Sequence, residues 1–313
     1  MSCLVTGAAG FIGSHLCRRL LKEKIPVVGI DSFTDFYPKW IKEKNILPLM
    51  KKKDFKFIAK DINELDLKEL LKNAEYVLHL AAQAGVRTSW GQDFSAYINN
   101  NIEATQKILE ASKENQLKKL IYASSSSVYG FCPDLPMSET SPLHPYSPYG
   151  VTKLSAEQLC FLYHKNYGVP SLSLRLFTVY GPGQRPDMAF HKFFKAIIEN
   201  KKITVYGEGK QTRDFTFIDD VIEAHIASLK KGKVGEAYNV GGGVRKKLED
   251  IFPTMEDICQ RKIEIKKEER QKGDVPHTYS NIEKARKDLN YSPLTKLEEG
   301  LKEEWRWIQK LYS

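Results

Sequence analysis

Tyr149 and Lys153 stand four residues apart in Ser147-Pro148-Tyr149-Gly150-Val151-Thr152-Lys153. Four residues is about one helical turn, so the two side chains share a face. Ser147 suits an N-cap and Pro148 the first helical position, so the segment predicts a helix beginning here. An ammonium beside a phenol favours the phenolate, and tyrosine otherwise titrates near pH ~10, too high for a base at neutral pH. With its pKa lowered, Tyr149 could take a proton from a substrate hydroxyl. Taken alone, the spacing also fits an ordinary Tyr and Lys on a surface helix, so the remainder of the chain decides.

A second group lies at the N-terminus. Leu4-Val5-Thr6 ends a short apolar strand, and Gly7-Ala8-Ala9-Gly10-Phe11-Ile12-Gly13-Ser14 runs into an amphipathic stretch from His15 to Lys22. A glycine-rich turn between strand and helix lets backbone approach a pyrophosphate, and the helix N-terminus attracts the anion. Gly7, Gly10, Phe11, Ile12 and Gly13 are therefore candidate dinucleotide contacts, although the spacing is GxxGxxG rather than GxGxxG. Beyond Gly13 the next strand, Ile25 to Ile30, ends at Asp31. An acid there can bind both ribose hydroxyls and repels a 2′-phosphate, which favours NAD over NADP.

These groups need a scaffold. The first 125 residues alternate strands and helices, with strands expected at 2–6, 26–30, 55–58, 76–80 and 118–123 and a long helix around Ile98 to Asn115. Tyr76-Val77-Leu78-His79-Leu80 is short and apolar, as a buried parallel strand should be. The pattern predicts an α/β fold with a Rossmann-type doubly wound parallel sheet. Asp61-Ile62 follows the third strand, and Leu80-Ala81-Ala82 closes the fourth. Both lie at carboxyl ends, where such sheets bind ligands, so all five join the candidate NAD contacts. After strand Leu172 to Leu176 the alternation loosens. Helices are expected at Ala189–Asn200, Asp219–Leu229, Leu248–Arg261 and Leu297–Leu311, separated by short strands and glycine-containing loops. The domain reading is residues 1–176 for NAD, with 215–240 returning to that domain, and 177–313 as a smaller mixed α/β lobe for the substrate. The crevice between them is the expected substrate site.

The bulk numbers narrow the class. The chain has 313 residues, 42% hydrophobic and 28% charged, which are globular values. It has no apolar run long enough to span a bilayer, and its first strand starts close to Met1, so neither a membrane span nor a signal peptide is expected. Five scattered cysteines form no CxxC pair, and seven histidines show no ligand spacing. A disulfide framework or metal site is not expected, and a reducing cytoplasm fits. The net charge of +9 could attract nucleic acid through Lys51-Lys52-Lys53 and residues 262–272, but solvated faces explain it more simply. It would also steer an acidic small molecule.

With TGAAGFIG, Asp31, HLAA, SSSSVYG and YGVTK in order, the chain resembles the extended short-chain dehydrogenase/reductases from end to end. The resemblance implies that Ser125, Tyr149 and Lys153 form the catalytic set, the serine hydroxyl bonding the reacting sugar oxygen. Four consecutive serines leave Ser126 as the alternative register. The two slots before Val128 hold Ser126 and Ser127, where dehydratases and decarboxylases of the family carry an acid, so epimerisation is the expected chemistry. Thr178-Val179-Tyr180-Gly181-Pro182-Gly183-Gln184-Arg185-Pro186-Asp187-Met188-Ala189-Phe190 and Ala84-Gly85-Val86-Arg87-Thr88-Ser89-Trp90 are similar to segments of UDP-glucuronate 4-epimerases. Thr178 stands where UDP-glucose 4-epimerases carry Asn. Arg185 and Arg87 are each candidates to meet a sugar carboxylate, because a guanidinium matches it with paired hydrogen bonds; each also suits a structural or diphosphate-binding role. Arg213 and Asp274 fall in segments like those that clamp UDP, whereas Gln271 replaces an arginine found in several relatives. The implied substrate contacts are Arg87, Ser125, Ser126, Ser127, Tyr149, Thr178, Arg185, Arg213 and Asp274. The implied protein is a homodimer that interconverts UDP-sugars, UDP-glucuronate before UDP-hexoses. A reductase that releases NADH and a non-enzymatic nucleotide-binding relative are the alternatives on the same scaffold.

Overall fold

The computed structural model describes residues 2–313. Its first half alternates β1 (Cys3–Thr6), α1 (Phe11–Lys22), β2 (Val27–Ile30), α2 (Lys39–Met50), β3 (Phe55–Ile58), α3 (Leu67–Leu71), β4 (Tyr76–His79), α4 (Phe94–Tyr97), α5 (Ala104–Ser112), β5 (Lys119–Ser125), α6 (Pro148–Tyr167) and β6 (Ser171–Leu176). The second half comprises β7 (Val179–Tyr180), α7 (Ala189–Ile198), β8 (Ile203–Tyr206), β9 (Thr212–Asp214), β10 (Thr216–Phe217), α8 (Ile218–Lys231), β11 (Ala237–Val240), β12 (Arg245–Lys247), α9 (Phe252–Cys259), β13 (Ile265–Glu268), α10 (Glu283–Leu289) and α11 (Leu297–Tyr312).

Seven strands form one parallel sheet in the order β11-β6-β5-β4-β1-β2-β3. The order reverses between β1 and β4, and there the carboxyl ends of the strands open a crevice. Two apolar cores cover the sheet faces. One gathers α1, α7, α8, α9 and α11 around Leu16, Leu20, Phe194, Val221 and Ile308. The other joins α3, α5 and α6 through Leu71, Ile108, Leu109 and Cys160. The second half adds three small two-stranded pairings, β7 with β10, β8 with β13 and β9 with β12.

α6 begins where its sequence signals put it. The Ser147 hydroxyl accepts the Gly150 N–H at 3.1 Å, Pro148 takes the first turn, and Gly168 ends the helix at φ +70°. Other bounds differ from expectation for identifiable reasons. α1 starts at Phe11, four residues before His15, because the chain turns straight from Gly10 into the helix and buries Phe11. The long helix around 98–115 begins earlier, at Phe94, and contains a π-helical stretch, Ile98–Glu103, that joins α4 to α5. The helix expected at 248–261 opens as a 3-10 turn, Glu249–Ile251, and stops at Gln260 in the left-handed conformation. α10, only seven residues long, carries no strong sequence signal. β5 runs two residues past its expected end and delivers Ser125 at its tip.

Candidate active site

One cleft of about 390 Å³ lies over the carboxyl ends of β1, β2, β4 and β5. Its lining includes all the sequence-derived cofactor candidates: Gly7, Gly10, Phe11, Ile12, Gly13, Asp31, Asp61, Ile62, Leu80, Ala81, Ala82, Tyr149 and Lys153. The glycine turn is built by close approach. A Cβ on Gly13 would sit 2.0 Å from the Gly7 carbonyl oxygen, so only glycine lets α1 press onto the turn. Gly10 caps α1 without a side-chain hydrogen bond, and Phe11, Ile12 and Gly13 of the first turn line the cleft, an arrangement in which helix N-termini bind anions well. Asp31 receives the N–H of Ala9 at 3.0 Å and of Phe33 at 2.9 Å, and burial raises its pKa. The uncapped helix end, the glycine turn and the acid after β2 together fit a dinucleotide with free ribose hydroxyls.

A buried polar chain orders the turn after β4. Thr6 Oγ1 accepts the N–H groups of Leu80 and Ala81, each at 3.1 Å, and meets His79 Nδ1 at 2.7 Å. His79 Nε2 reaches Thr105 Oγ1 at 3.0 Å. In the π-helical stretch, Asn101 accepts the Gln83 N–H at 2.7 Å, donates to the Gln83 carbonyl and reaches Thr152 on α6. That one side chain links the cofactor turn to the helix bearing Tyr149 and Lys153.

Ser125, Tyr149 and Lys153 line the same cleft. Burial pushes the Tyr149 phenol above its ordinary value, against the opposing pull of the Arg185 charge and a hydrogen bond with Ser125. The expectation of a lowered Tyr149 pKa is therefore corrected for the protein alone: desolvation outweighs the Arg185 charge and the Ser125 hydrogen bond. Lys153 carries the larger effect. It is 3% exposed, its Nζ lies 4.3 Å over the Tyr122 ring, and burial brings its pKa down to about 7. Four residues further along α6, Glu157 opposes that shift. Glu157 pairs with Arg175 at 2.6 Å and accepts the Ser124 hydroxyl at 2.5 Å, which ties α6 to the end of β5.

Among the substrate candidates, Ser125, Ser126, Ser127, Thr178 and Arg185 line this cleft with Tyr149. Ser125 Oγ accepts the Ser127 N–H at 3.1 Å. Arg185 is paired through both Nε and Nη2 with Asp187, each contact 3.0 Å. Arg87, Arg213 and Asp274 are not brought into the cleft. Arg87 pairs with Asp274 at 2.7 Å and stacks over Tyr206 at 4.2 Å, while Arg213 donates to the carbonyls of Thr212 and Pro276. Of the two arginines considered for a sugar carboxylate, only Arg185 shares the cleft with Tyr149. Sequence reasoning missed Asp187, Asn101 and Glu157. Glu157 extends the Tyr149–Lys153 helical ridge by one more turn, a signal present in the sequence; Asn101 depends on the π-helical turn and gave none. Among the described residues, no group of three or more His, Cys, Asp or Glu side chains could hold a metal ion.

A parallel sheet with a glycine turn at its switch point and a Ser/Tyr/Lys set beside it defines a nucleotide-dependent enzyme of the short-chain dehydrogenase/reductase kind. The chain belongs to the NAD dependent epimerase/dehydratase family, whose model matches residues 3–241. It is similar to UDP-glucuronic acid 4-epimerase from Bacillus cereus, solved with UDP-glucuronic acid and NAD: TM-score 0.97, 48% identity, 100% of both chains covered. It is 40% identical to a UDP-glucuronate 4-epimerase of Thermodesulfobacterium geofontis over 98% of this chain and 96% of that protein. It is 44% identical to YtcB of Bacillus subtilis, described as an uncharacterized UDP-glucose epimerase, over 100% of this chain and 99% of that one.

Proposed function

We propose that the protein interconverts UDP-glucuronate and UDP-galacturonate by NAD-dependent 4-epimerisation. The observation that carries the uronate assignment is the convergence of Arg185 and Thr178 with Tyr149 and Ser125 in one cleft. NAD, which the glycine turn and Asp31 would hold, would supply the hydride acceptor for sugar C4 and, once reduced, the hydride donor to its opposite face. Tyr149 removes the C4 hydroxyl proton in the same step and gives it back when the 4-keto sugar is reduced. Ser125 hydrogen-bonds the reacting oxygen. Lys153 supports the phenolate through its positive charge, and Glu157 behind it favours the charged ammonium. Between the two transfers the sugar must turn. Arg213 and Asp274, with Arg87 against Asp274, are assigned to the UDP portion, whose remote binding holds the nucleotide during that turn. Thr178 and Arg185 are assigned to the carboxylate. A 4-keto uronic acid is a β-keto acid, and hydrogen bonds that hold its carboxyl bond out of line with the carbonyl π system oppose loss of CO₂. No acid stands at Ser126 or Ser127 to drive elimination or decarboxylation.

The same reading makes the protein a cytoplasmic homodimer with no nucleic-acid or membrane partner. Five free cysteines, four of them buried, fit a reducing compartment, and no helix among the described residues is long and apolar enough to cross a membrane. The homodimer is supported by exposed Ile98 at the α4–α5 junction and exposed Val151, Phe161, Leu162 and Tyr167 on α6.

Purified protein incubated separately with UDP-glucuronate and UDP-glucose, without added NAD, tests the assignment. Turnover is expected to favour UDP-glucuronate, with little decarboxylated product. Arg185→Ala should lower uronate turnover by roughly 10- to 150-fold, the equivalent of one charged hydrogen bond, and change UDP-glucose turnover much less. Faster wild-type turnover of UDP-glucose would transfer the assignment to a hexose 4-epimerase.

A further inference from the structure

Asp187 holds Arg185 along one edge: Nε meets Oδ1 and Nη2 meets Oδ2, each at 3.0 Å. That bidentate pairing leaves the Nη1 end of the guanidinium for a ligand. Both residues line the cleft that contains Tyr149. The backbone around them is fixed. Gln184 donates to the Val179 carbonyl at 3.1 Å and accepts the His191 N–H at 3.0 Å, and Met188 N–H returns to the Arg185 carbonyl at 3.1 Å. Arg185 also lies 5.9 Å over the Phe36 ring. The pair is therefore a built feature of the cleft, and the cation that a uronate would meet already has a counter-ion.

A fully available arginine would hold a carboxylate tightly in one pose. Tight holding of the ground state does not speed a reaction whose intermediate must turn over in the pocket. A second anion on the same guanidinium weakens the first by repulsion and by sharing the charge. We infer that Asp187 is a positioning residue that presents the Nη1 end of Arg185 to the sugar carboxylate and limits how strongly it is held, so that the sugar can turn between its two hydride-transfer poses. This rests on the uronate reading above.

The test is the dissociation constants of wild type and Asp187→Asn for UDP-glucuronate and UDP-glucose by calorimetry, with kcat for UDP-glucuronate. Retained NAD and the thermal midpoint check folding. Removing the competing charge should tighten UDP-glucuronate binding by about tenfold and lower kcat by a similar factor, because the carboxylate is released more slowly. The UDP-glucose constant should move less than about twofold, having no carboxylate to feel the change. Asp187→Ala should change binding and kcat in the same directions and decides the matter where the Asn variant does not fold. Weaker or unchanged UDP-glucuronate binding, or tighter binding with kcat intact, overturns the inference. Wild-type protein that binds UDP-glucose at least as tightly as UDP-glucuronate overturns the uronate reading itself, and the inference with it.

Discussion

Tyr149 is partly buried, and desolvation raises its phenol above the ordinary value in the protein by itself. Its proposed use as a base therefore calls for positive charge beside it: Arg185 supplies one such charge, and bound NAD would add that of its nicotinamide. Lys153, at about 7, is held near the boundary between charged and neutral at physiological pH. The Tyr149→Phe variant removes the proton-transfer group and little else, since the ring still fills the space beside Tyr97. Its turnover should fall by at least about a hundredfold while NAD content and UDP binding stay near wild type. Wild-type turnover in that variant contradicts the mechanism.

At the scale of elements, the glycine turn and α1 act as one unit. Gly13→Ala would drive a Cβ into the Gly7 carbonyl oxygen, and backbone on both sides prevents an easy shift. The expected cost is ~1–3 kcal/mol of stability, the range for overpacking, together with loss of NAD during purification. Denaturant midpoints and the cofactor content of the purified variant measure both. α6 is legible in the sequence because Ser147, Pro148 and Gly168 are local signals read within a few residues of its ends. The π-helical stretch at Ile98–Glu103 is not, because the hydrogen bonds that select it are to Gln83 and Thr152, distant in the chain.

For the molecule as a whole, four histidines are held neutral by burial. His15, His191 and His225 are pulled down to about 4 and His79 to about 3. Unfolded histidine titrates near ~6.5, so below that pH the unfolded chain takes up protons that the fold refuses. Stability should therefore fall as pH drops from about 6.5 toward about 4, by at most ~1.4 kcal/mol per pH unit for each histidine. Above pH ~6.5 these groups contribute no pH dependence. A thermal midpoint that stays constant between pH 6.5 and 5 would show that this account is wrong. Oligomeric state is a second property of the whole. The large apolar side chains exposed along α6 favour a dimer, and light scattering at micromolar concentration should return twice the 35.8 kDa chain mass. A monomeric mass defeats the proposal.

The alternation of strands and helices, the glycine turn, Asp31 and the Tyr149/Lys153 pair were determined by sequence alone, because each depends on short-range geometry: one helical turn, one tight turn, one strand end. Tertiary structure decided what those groups experience. It buried Lys153 over Tyr122, raised Tyr149 and set Glu157 behind Lys153 through Arg175 and Ser124. It also separated the two arginines that the sequence offered for a sugar carboxylate. Arg185 entered the cleft with Asp187 as its counter-ion, and Arg87 was drawn to Asp274, 187 residues away. Burial and long-range charge pairing depend on which distant segments meet, and no local window of sequence contains that information.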